Sequence, residues 1–408
     1  MSLSLADINP VLEELYLSDS TIPDQIMRNN PMMGMLPKST DGGGKYRHVH
    51  LRHVRPQGRS AVFATAQANT VGSVRKAFDV IWRSNYQTAE VDGDVIDDAQ
   101  GNKTIIIEHI KAEMDGALDN LRDDIAMNLF RNEGGARGQI ASGITGATIT
   151  LVDPTDIVNF EIGMVLEASD YDGVGSGTDR TGTATVVALD RDLGTITTSA
   201  DWDTLLTTLA ALDFLFEEDD RGVKMAGFDS WIPEVAPTGG DSHFGVDRSV
   251  DPVRLAGVRY DGTGQPLEEA IVQGAARVRR WKKASPIDCA FLNPTRYAAL
   301  EVSLEGRKRV QEVKGSGPAA HIGYNAIMIA SPHGDIPVLS DPNCQEDICW
   351  LINKGSWMIE TVGAMARLLD EDGNAFLRKN NADGYELRVK NRGNMWCREP
   401  GSNGRIAI

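Results

Sequence analysis

Lys103–Glu133, KTIIIEHIKAEMDGALDNLRDDIAMNLFRNE, is the stretch that decides the fold. Its apolar residues Ile107, Ile110, Met114, Leu118, Leu121, Ile125 and Leu129 recur in steps of three and four, which puts them in one stripe on a helix. Between them come Glu108, Glu113, Asp115, Asp119, Asp123 and Asp124, so the opposite face is expected to be acidic and wet. No proline interrupts the run, Gly116 is its weak position, and Gly134-Gly135 is expected to stop it. At ~1.5 Å per residue, roughly 28 residues of helix reach about 42 Å. A rod of that length needs a broad surface to lie across.

On the N-terminal side the run KYRHVHLRHV alternates in period two and reads as a strand. A small-residue segment, RPQGRSAVFATAQANTVGSV, follows it, and RKAFDVIWRSNYQTAEV then reads as a second strand. The pattern predicts a long two-stranded arm with a loose tip, and a lone hairpin of this kind needs a surface to rest on. From Lys45 to Arg83 the basic residues are Lys45, Arg47, Arg52, Arg55, Arg59, Arg75, Lys76 and Arg83, and the one acid is Asp79. The whole chain carries a formal charge of −17, so the arm is complementary to other copies of the same protein. A nucleic-acid-binding surface over the whole chain is disfavoured, because such affinity comes from phosphate neutralisation.

The first 43 residues read as an extended arm with a short helical patch at Val11–Leu17. Met27, Met32, Met33 and Met35 are flexible apolar contacts suited to another subunit or domain. Beyond the helix, short strands and glycine-rich turns from about Gly146 to Asp220 predict an inserted antiparallel barrel or sandwich. From about Pro252 the texture is mixed: helices at PLEEAIVQGAARVRRWKK and PTRYAALEVSLEGRKRV, strands at PIDCAFLN, NAIMIASP, DIPVLSD, DICWLIN and SWMIETV. YELRVKNRGNMWC is expected to end the ordered part. The fold class is α+β, since the repeated βα alternation of a doubly wound sheet is missing.

Catalytic signatures are weak. His48, His50 and His53 give HxHxxH, where His48 and His50 share a strand face and a metal-dependent hydrolase is the rival reading. Among arginines the trio reads first as part of the basic arm. DEDGNAFLRKNN at Asp370–Asn381 misplaces the glycine and glutamate of a calcium loop and reads as a turn. No dinucleotide, phosphate-loop or nucleophile-elbow pattern occurs, and no cofactor is expected. Cys289, Cys344, Cys349 and Cys397 form no CxxC pair and read as reduced thiols in a cytoplasmic protein. No apolar run approaches the ~18 residues of a membrane span, and the N-terminus lacks the basic start of a signal peptide.

The succession of arm, extended loop, long acidic helix, β-rich segment and α+β domain resembles the major capsid protein of tailed bacteriophages. HFGVDRSVDPVRLAG, PLEEAIVQGAARVRRWKK, PIDCAFLNPTRYAALE and GDIPVLSDPNCQEDICWLIN with SWMIET resemble its passage from peripheral to axial domain and back. The resemblance implies an N-terminal arm at 1–43, an extension loop at 44–102 and the spine helix at 103–145. It further implies an inserted all-β domain at 146–220, a peripheral return at 221–263, an axial domain at 264–338 and closing strands at 339–408. It implies a non-enzymatic subunit that assembles as hexamers and pentamers into an icosahedral head around double-stranded DNA, in the host cytoplasm. Partners implied are other copies of the chain, a portal, a separate scaffolding protein and a decoration or cement protein, with no membrane and no sequence-specific DNA contact. An encapsulin-like compartment shell and a tail-tube protein are the neighbouring alternatives. Gln57–Val74 holds no lysine, so locking by non-covalent contact is expected. The expected intersubunit contacts are Arg47, Arg52, Arg55, Arg59, Phe63, Arg75, Lys76, Trp82 and Arg83, set against the acidic face of the helix.

Overall fold

The computed structural model describes residues 30–92, 103–280, 285–304, 310–312, 325–332, 334–369, 376–379 and 383–408. The Val11–Leu17 patch, Met27 and most of Asp370–Asn381 lie outside them. The arm is β1 (Tyr46–Val54) and β2 (Val74–Ile81), joined through a short helix α1 (Phe63–Ala68). β3 (Arg83–Asp92) follows directly, then the long helix α2 (Lys103–Phe130). Next come β4 (Gly138–Ser142), β5 (Thr148–Leu151), β6 (Val165–Ser169), β7 (Ala184–Asp190), β8 (Thr195–Thr198) and β9 (Phe214–Glu217). The remainder runs β10 (Val258–Asp261), α3 (Leu267–Arg279), β11 (Cys289–Leu292), α4 (Pro294–Ser303), β12 (Val310–Glu312), β13 (Asn325–Ser331) and β14 (Gly334–Ser340). It ends with β15 (Ile348–Ile352), β16 (Trp357–Thr361), β17 (Gly384–Cys397) and β18 (Gly404–Ala407).

The long helix lies across a sheet whose spine is β17. β17 pairs antiparallel with β3 from Gly384 to Gly393 and with β16 from Gly393 to Cys397. Ile110, Met114, Leu118, Leu121, Ile125 and Leu129 are all buried, in one cluster with Ala89, Val91, Leu387 and Val389 from those strands. The apolar stripe therefore meets strands from both sides of it in sequence, as its periodicity demands. Met32 and Met33, on a short helix at Pro31–Met35, are wholly buried in the same cluster, so they serve this chain's own core and not a neighbour.

The strand-like run after the arm tip is not one strand. It breaks at Trp82 into β2, which among the described residues pairs only with β1, and β3, which joins β17. Trp82 is 9% exposed, and Asn394 Nδ2 donates to the Ile81 carbonyl at 2.8 Å, holding the chain where it changes sheet. A bulge between Arg52 and Val54 shifts the register of the arm itself.

Strands β4 to β9 close into an antiparallel barrel in the order β9-β4-β5-β8-β7-β6. Closure leaves no unpaired edge, and the interior is filled by Ile140, Ile149, Leu151, Leu166, Ile196 and Trp202. The barrel begins at Gly138, ahead of the position near Gly146 where the turn texture alone placed it. The last domain packs α3 on a seven-stranded mixed sheet ordered β10-β18-β15-β11-β14-β13-β12. The order did not end at Cys397: β18 is buried between β10 and β15. Its short GRIA sequence has too few residues to signal a strand by alternation. Among the described residues no helix is long and apolar enough to cross a membrane.

Candidate intersubunit surface

The arm divides into a root and a tip. At the root Val49, Phe78 and Val80 are buried in the main core, and the Asp79 amide donates to the Phe244 carbonyl at 3.0 Å. Toward the tip Gln57 and Val71 exchange backbone hydrogen bonds, and beyond them α1 has no buried residue. Phe63 is 81% exposed, with Val62, Val71 and Val74 also exposed around it. Arg55, Arg59 and Arg75 are exposed and have no ion-pair partner among the described residues. Lys76 is half-buried. Arg52 stands opposite Arg75 in the ladder, and its side chain lies outside the described residues.

Three of the expected contact residues are used within the chain. Arg47 Nε lies 3.2 Å from Glu360 Oε2, a carboxylate that is 1% exposed and also receives the Trp396 Nε1 hydrogen at 2.7 Å. Its guanidinium also sits over the Trp396 ring. Trp82 is buried, as described, and cannot anchor a neighbour. Arg83 pairs loosely with Glu133 at 3.7 Å, where burial pushes the Glu133 carboxyl up against the pull of Arg83. Basic composition counts charges and does not see which of them an internal carboxylate has already engaged.

The acidic face of α2 is split in the same way. Glu113, Asp119 and Asp123 are exposed, with Arg122 bridging Asp119 at 2.8 Å and Asp123 at 3.0 Å. Asp115 is half-buried, and the side chain of Glu108 lies outside the described residues. Asp124 is a correction: it is 8% exposed and carries the centre of a buried charge cluster. Arg137 Nη2 lies 2.8 Å from Asp124 Oδ1 and also contacts Glu217, while Lys224 Nζ lies 3.1 Å from Asp124 Oδ2 and 2.6 Å from Asp220. Asn85 and Asn128 donate to the same carboxylate. Burial alone would raise the Asp124 pKa, but Arg137 and Lys224 outweigh it and hold the carboxyl below its ordinary value.

The cluster ties the helix to β3, to the barrel and to the loop after it. A signal was present in the sequence: Asp124 is three residues past Leu121 and four before Asn128, so it lies inside the inward stripe. The last turns of α2 are buried on all sides, from Asp124 to Phe130, because they run between the barrel and the main core. Asp124, Glu217 and Asp220 bring carboxylate oxygens within 4.8 Å of one another, a metal-like spacing. Arg137 and Lys224 already neutralise them, so the cluster does not fit a cation. His48 Nδ1 lies 2.6 Å from Asp79 Oδ1 across the arm ladder, and His53 is buried. His50 is exposed on the same strand face as His48, while His53 is buried on the other, so the trio does not converge, and among the described residues none of the three belongs to a cluster of three or more metal-ligating side chains.

The glycine pair after the helix has a different task from the expected stop. The helix ends at Phe130, and Gly134 passes so close to the Asp172 carbonyl that a Cβ would stand 1.9 Å from its oxygen. The Gly134 carbonyl in turn accepts from the Gly222 amide at 2.8 Å, which pins the two ends of the barrel insertion together.

No protein-family model matches the sequence, and no curated protein does. Solved structures do match. A chain of the capsid asymmetric unit of cyanophage A-1(L) aligns with TM-score 0.53 and 13% identity, over 96% of this chain and 95% of that one. The capsid of a native GTA particle aligns at 0.46 and 8%, over 91% and 88%. The SrpI encapsulin of Synechococcus elongatus aligns at 0.45 and 9%, over 99% and 96%. The identification of the fold rests on the first of these three.

Proposed function

Given that this chain has the α+β fold of tailed-phage major capsid proteins, we propose that it is a shell subunit which builds an icosahedral head from hexamers and pentamers of itself. The observation that carries the reading is the arm tip: a basic, apolar segment that its own chain leaves uncovered, on a fold shared over almost full length with a capsid chain. An isolated monomer has no use for an exposed phenylalanine and unpaired arginines at the end of a hairpin. A closed shell does, because it is held by many copies of one weak contact that must remain reversible while errors are corrected. Charge steers the approach, and desolvated apolar area holds the result.

Double-stranded DNA would be enclosed without sequence-specific contact, since a chain with a formal charge of −17 repels phosphate. A portal, a separate scaffolding protein and an outer decoration protein are the partners that such a head requires or accommodates. Assembly would take place in the host cytoplasm, and the finished location would be the virion. In this reading the β17 sheet with α2 is the peripheral domain, and the seven-stranded sheet with α3 and α4 is the axial domain. The barrel is the inserted domain.

Negative-stain microscopy of the expressed full chain, with and without a scaffold, tests this directly. Closed polyhedral particles are expected. Persistent monomers in both preparations would overturn the reading.

A further inference from the structure

The barrel carries several exposed apolar side chains on its outer surface. Ile162 and Leu193 are each 66% exposed, and Val152, Val158 and Leu212 are also exposed. The chain brings them onto adjoining elements. The Leu151 amide donates to the Gly194 carbonyl at 3.0 Å, the Val152 amide to Gln139 at 2.8 Å, and the Leu212 amide to Ile140 at 2.7 Å. Glu161 and Arg191 pair at 2.7 Å, which sets Ile162 beside the β7–β8 turn that carries Leu193. Through Val152, Asp153 and Pro154 this face runs into a cleft of about 550 Å³ between the barrel, the end of α2 and the seven-stranded sheet.

The cleft is acidic: seven carboxylates line it, Asp229, Glu234 and Asp347 among them, against three arginines. Its arginines pair with only part of it: Arg131 with Asp156, and Arg296 with Glu346 at 3.6 Å. Arg405 stands 3.7 Å from Asp229 and 3.6 Å from Glu234, beyond hydrogen-bond reach, and Asp229 Oδ1 has no hydrogen-bond partner among the described residues. Asp229 is thus held in a loose ion pair whose Oδ1 keeps its capacity to accept a hydrogen bond. Burial pushes its pKa up to about 6.

Exposed apolar side chains bordered by an acidic cleft are the converse of the arm tip, where exposed Phe63, Val62 and Val71 are accompanied by exposed Arg55, Arg59 and Arg75. We propose that the outer barrel face and its acidic cleft receive the arm tip of a second copy of this chain, with Phe63 on the Ile162–Leu193 patch and the tip arginines toward the cleft. The barrel then forms part of the lock between subunits instead of being a passive insertion. This contact rests on the shell reading above and adds to it the receiving surface.

The four native cysteines allow a clean test, since all are buried and burial raises each thiol above its ordinary pKa. Full-length Phe63→Cys and full-length Ile162→Cys, both at exposed positions, are mixed, assembled where the wild type forms particles, and oxidised. The expected product is a disulfide-linked pair of unlike chains that needs both variants and assembly. Its yield should fall several-fold when the Phe63→Cys chain also carries Arg55→Glu and Arg59→Glu.

Particles without the mixed pair would overturn the contact while leaving the shell intact, and would free the barrel face for another protein. Linked Phe63→Cys homodimers without the mixed pair would overturn it as well, by showing arms that meet arms. A wild type that never forms particles would sink the shell reading and the contact with it.

Discussion

The arm tip and the Asp124 cluster are both collections of charge, and the chain treats them in opposite ways. Around Asp124 every cation has a carboxylate at ion-pair distance, and the asparagines complete the remaining bonds. At the tip the arginines project into solvent beside exposed apolar side chains. A buried ion set of this kind fixes how the helix, the barrel and β3 sit together, because removing one member strands the others in a low-dielectric site. A charge set at an exposed tip contributes almost nothing to the fold, since water screens it. Its chemistry acts between chains.

This contrast is tested most severely by Asp124→Ala, which leaves Arg137 and Lys224 without their shared partner. A loss of about 3–5 kcal/mol in chemical unfolding is expected; a change below about 1 kcal/mol would mean the cluster is replaceable by water. Acid is the next lever. His243 is buried against Trp231 and Phe78, and burial with Arg248 nearby holds its pKa well below the ordinary value. The unfolded chain then binds a proton that the folded chain refuses. Stability is complete above about pH 6.5 and falls as pH drops below it, by up to about 1.4 kcal/mol per pH unit.

Asp229 acts in the opposite sense below about pH 6, because its folded carboxyl takes up a proton before the unfolded one does. The difference between wild type and His243→Phe, followed by thermal melts from pH 7 to 5, isolates the histidine. The variant should show the shallower decline.

A smaller gain is expected at Gly116, the solvent-facing interior position of α2 where an added Cβ would meet nothing within 4 Å. Gly116→Ala should stabilise by roughly 0.5–1 kcal/mol, read as a rise in melting temperature with assembly unchanged. The smallest effect on the fold belongs to the tip. Arg55→Glu with Arg59→Glu should leave monomer stability within about 0.5 kcal/mol of wild type, yet reduce particle yield and its dependence on salt. Monomers that melt much earlier would place those arginines in the fold and erase the distinction.

Several parts of this were readable beforehand, each by a local period. The three-four spacing from Ile107 to Leu129 gave the helix and its inward stripe, and the alternation in KYRHVHLRHV gave the first limb of the arm. The even spacing of short strands and turns pointed to a small antiparallel barrel or sandwich, and only the fold showed that it closes. Local period failed where partners come from far away in the chain. Nothing near Trp82 announces that β2 and β3 part company there, since Asn394 and the core it enters lie some three hundred residues on. Arg47 looked as free as Arg55 until Glu360 was placed beside it.

By itself, then, the amino-acid order determined the periodic elements, the acidic balance and the basic arm, because these depend on neighbours in sequence and on side-chain type. Tertiary structure alone decided which charges are consumed and which are left over. It turned Asp124 from a wet face residue into a buried hub, gave Met32 and Met33 to the core, set GRIA in the middle of a sheet, and left Phe63 uncovered. The reason is that burial and pairing are properties of distances between remote residues, and a charge shows whether it is satisfied only when the chain has closed around it.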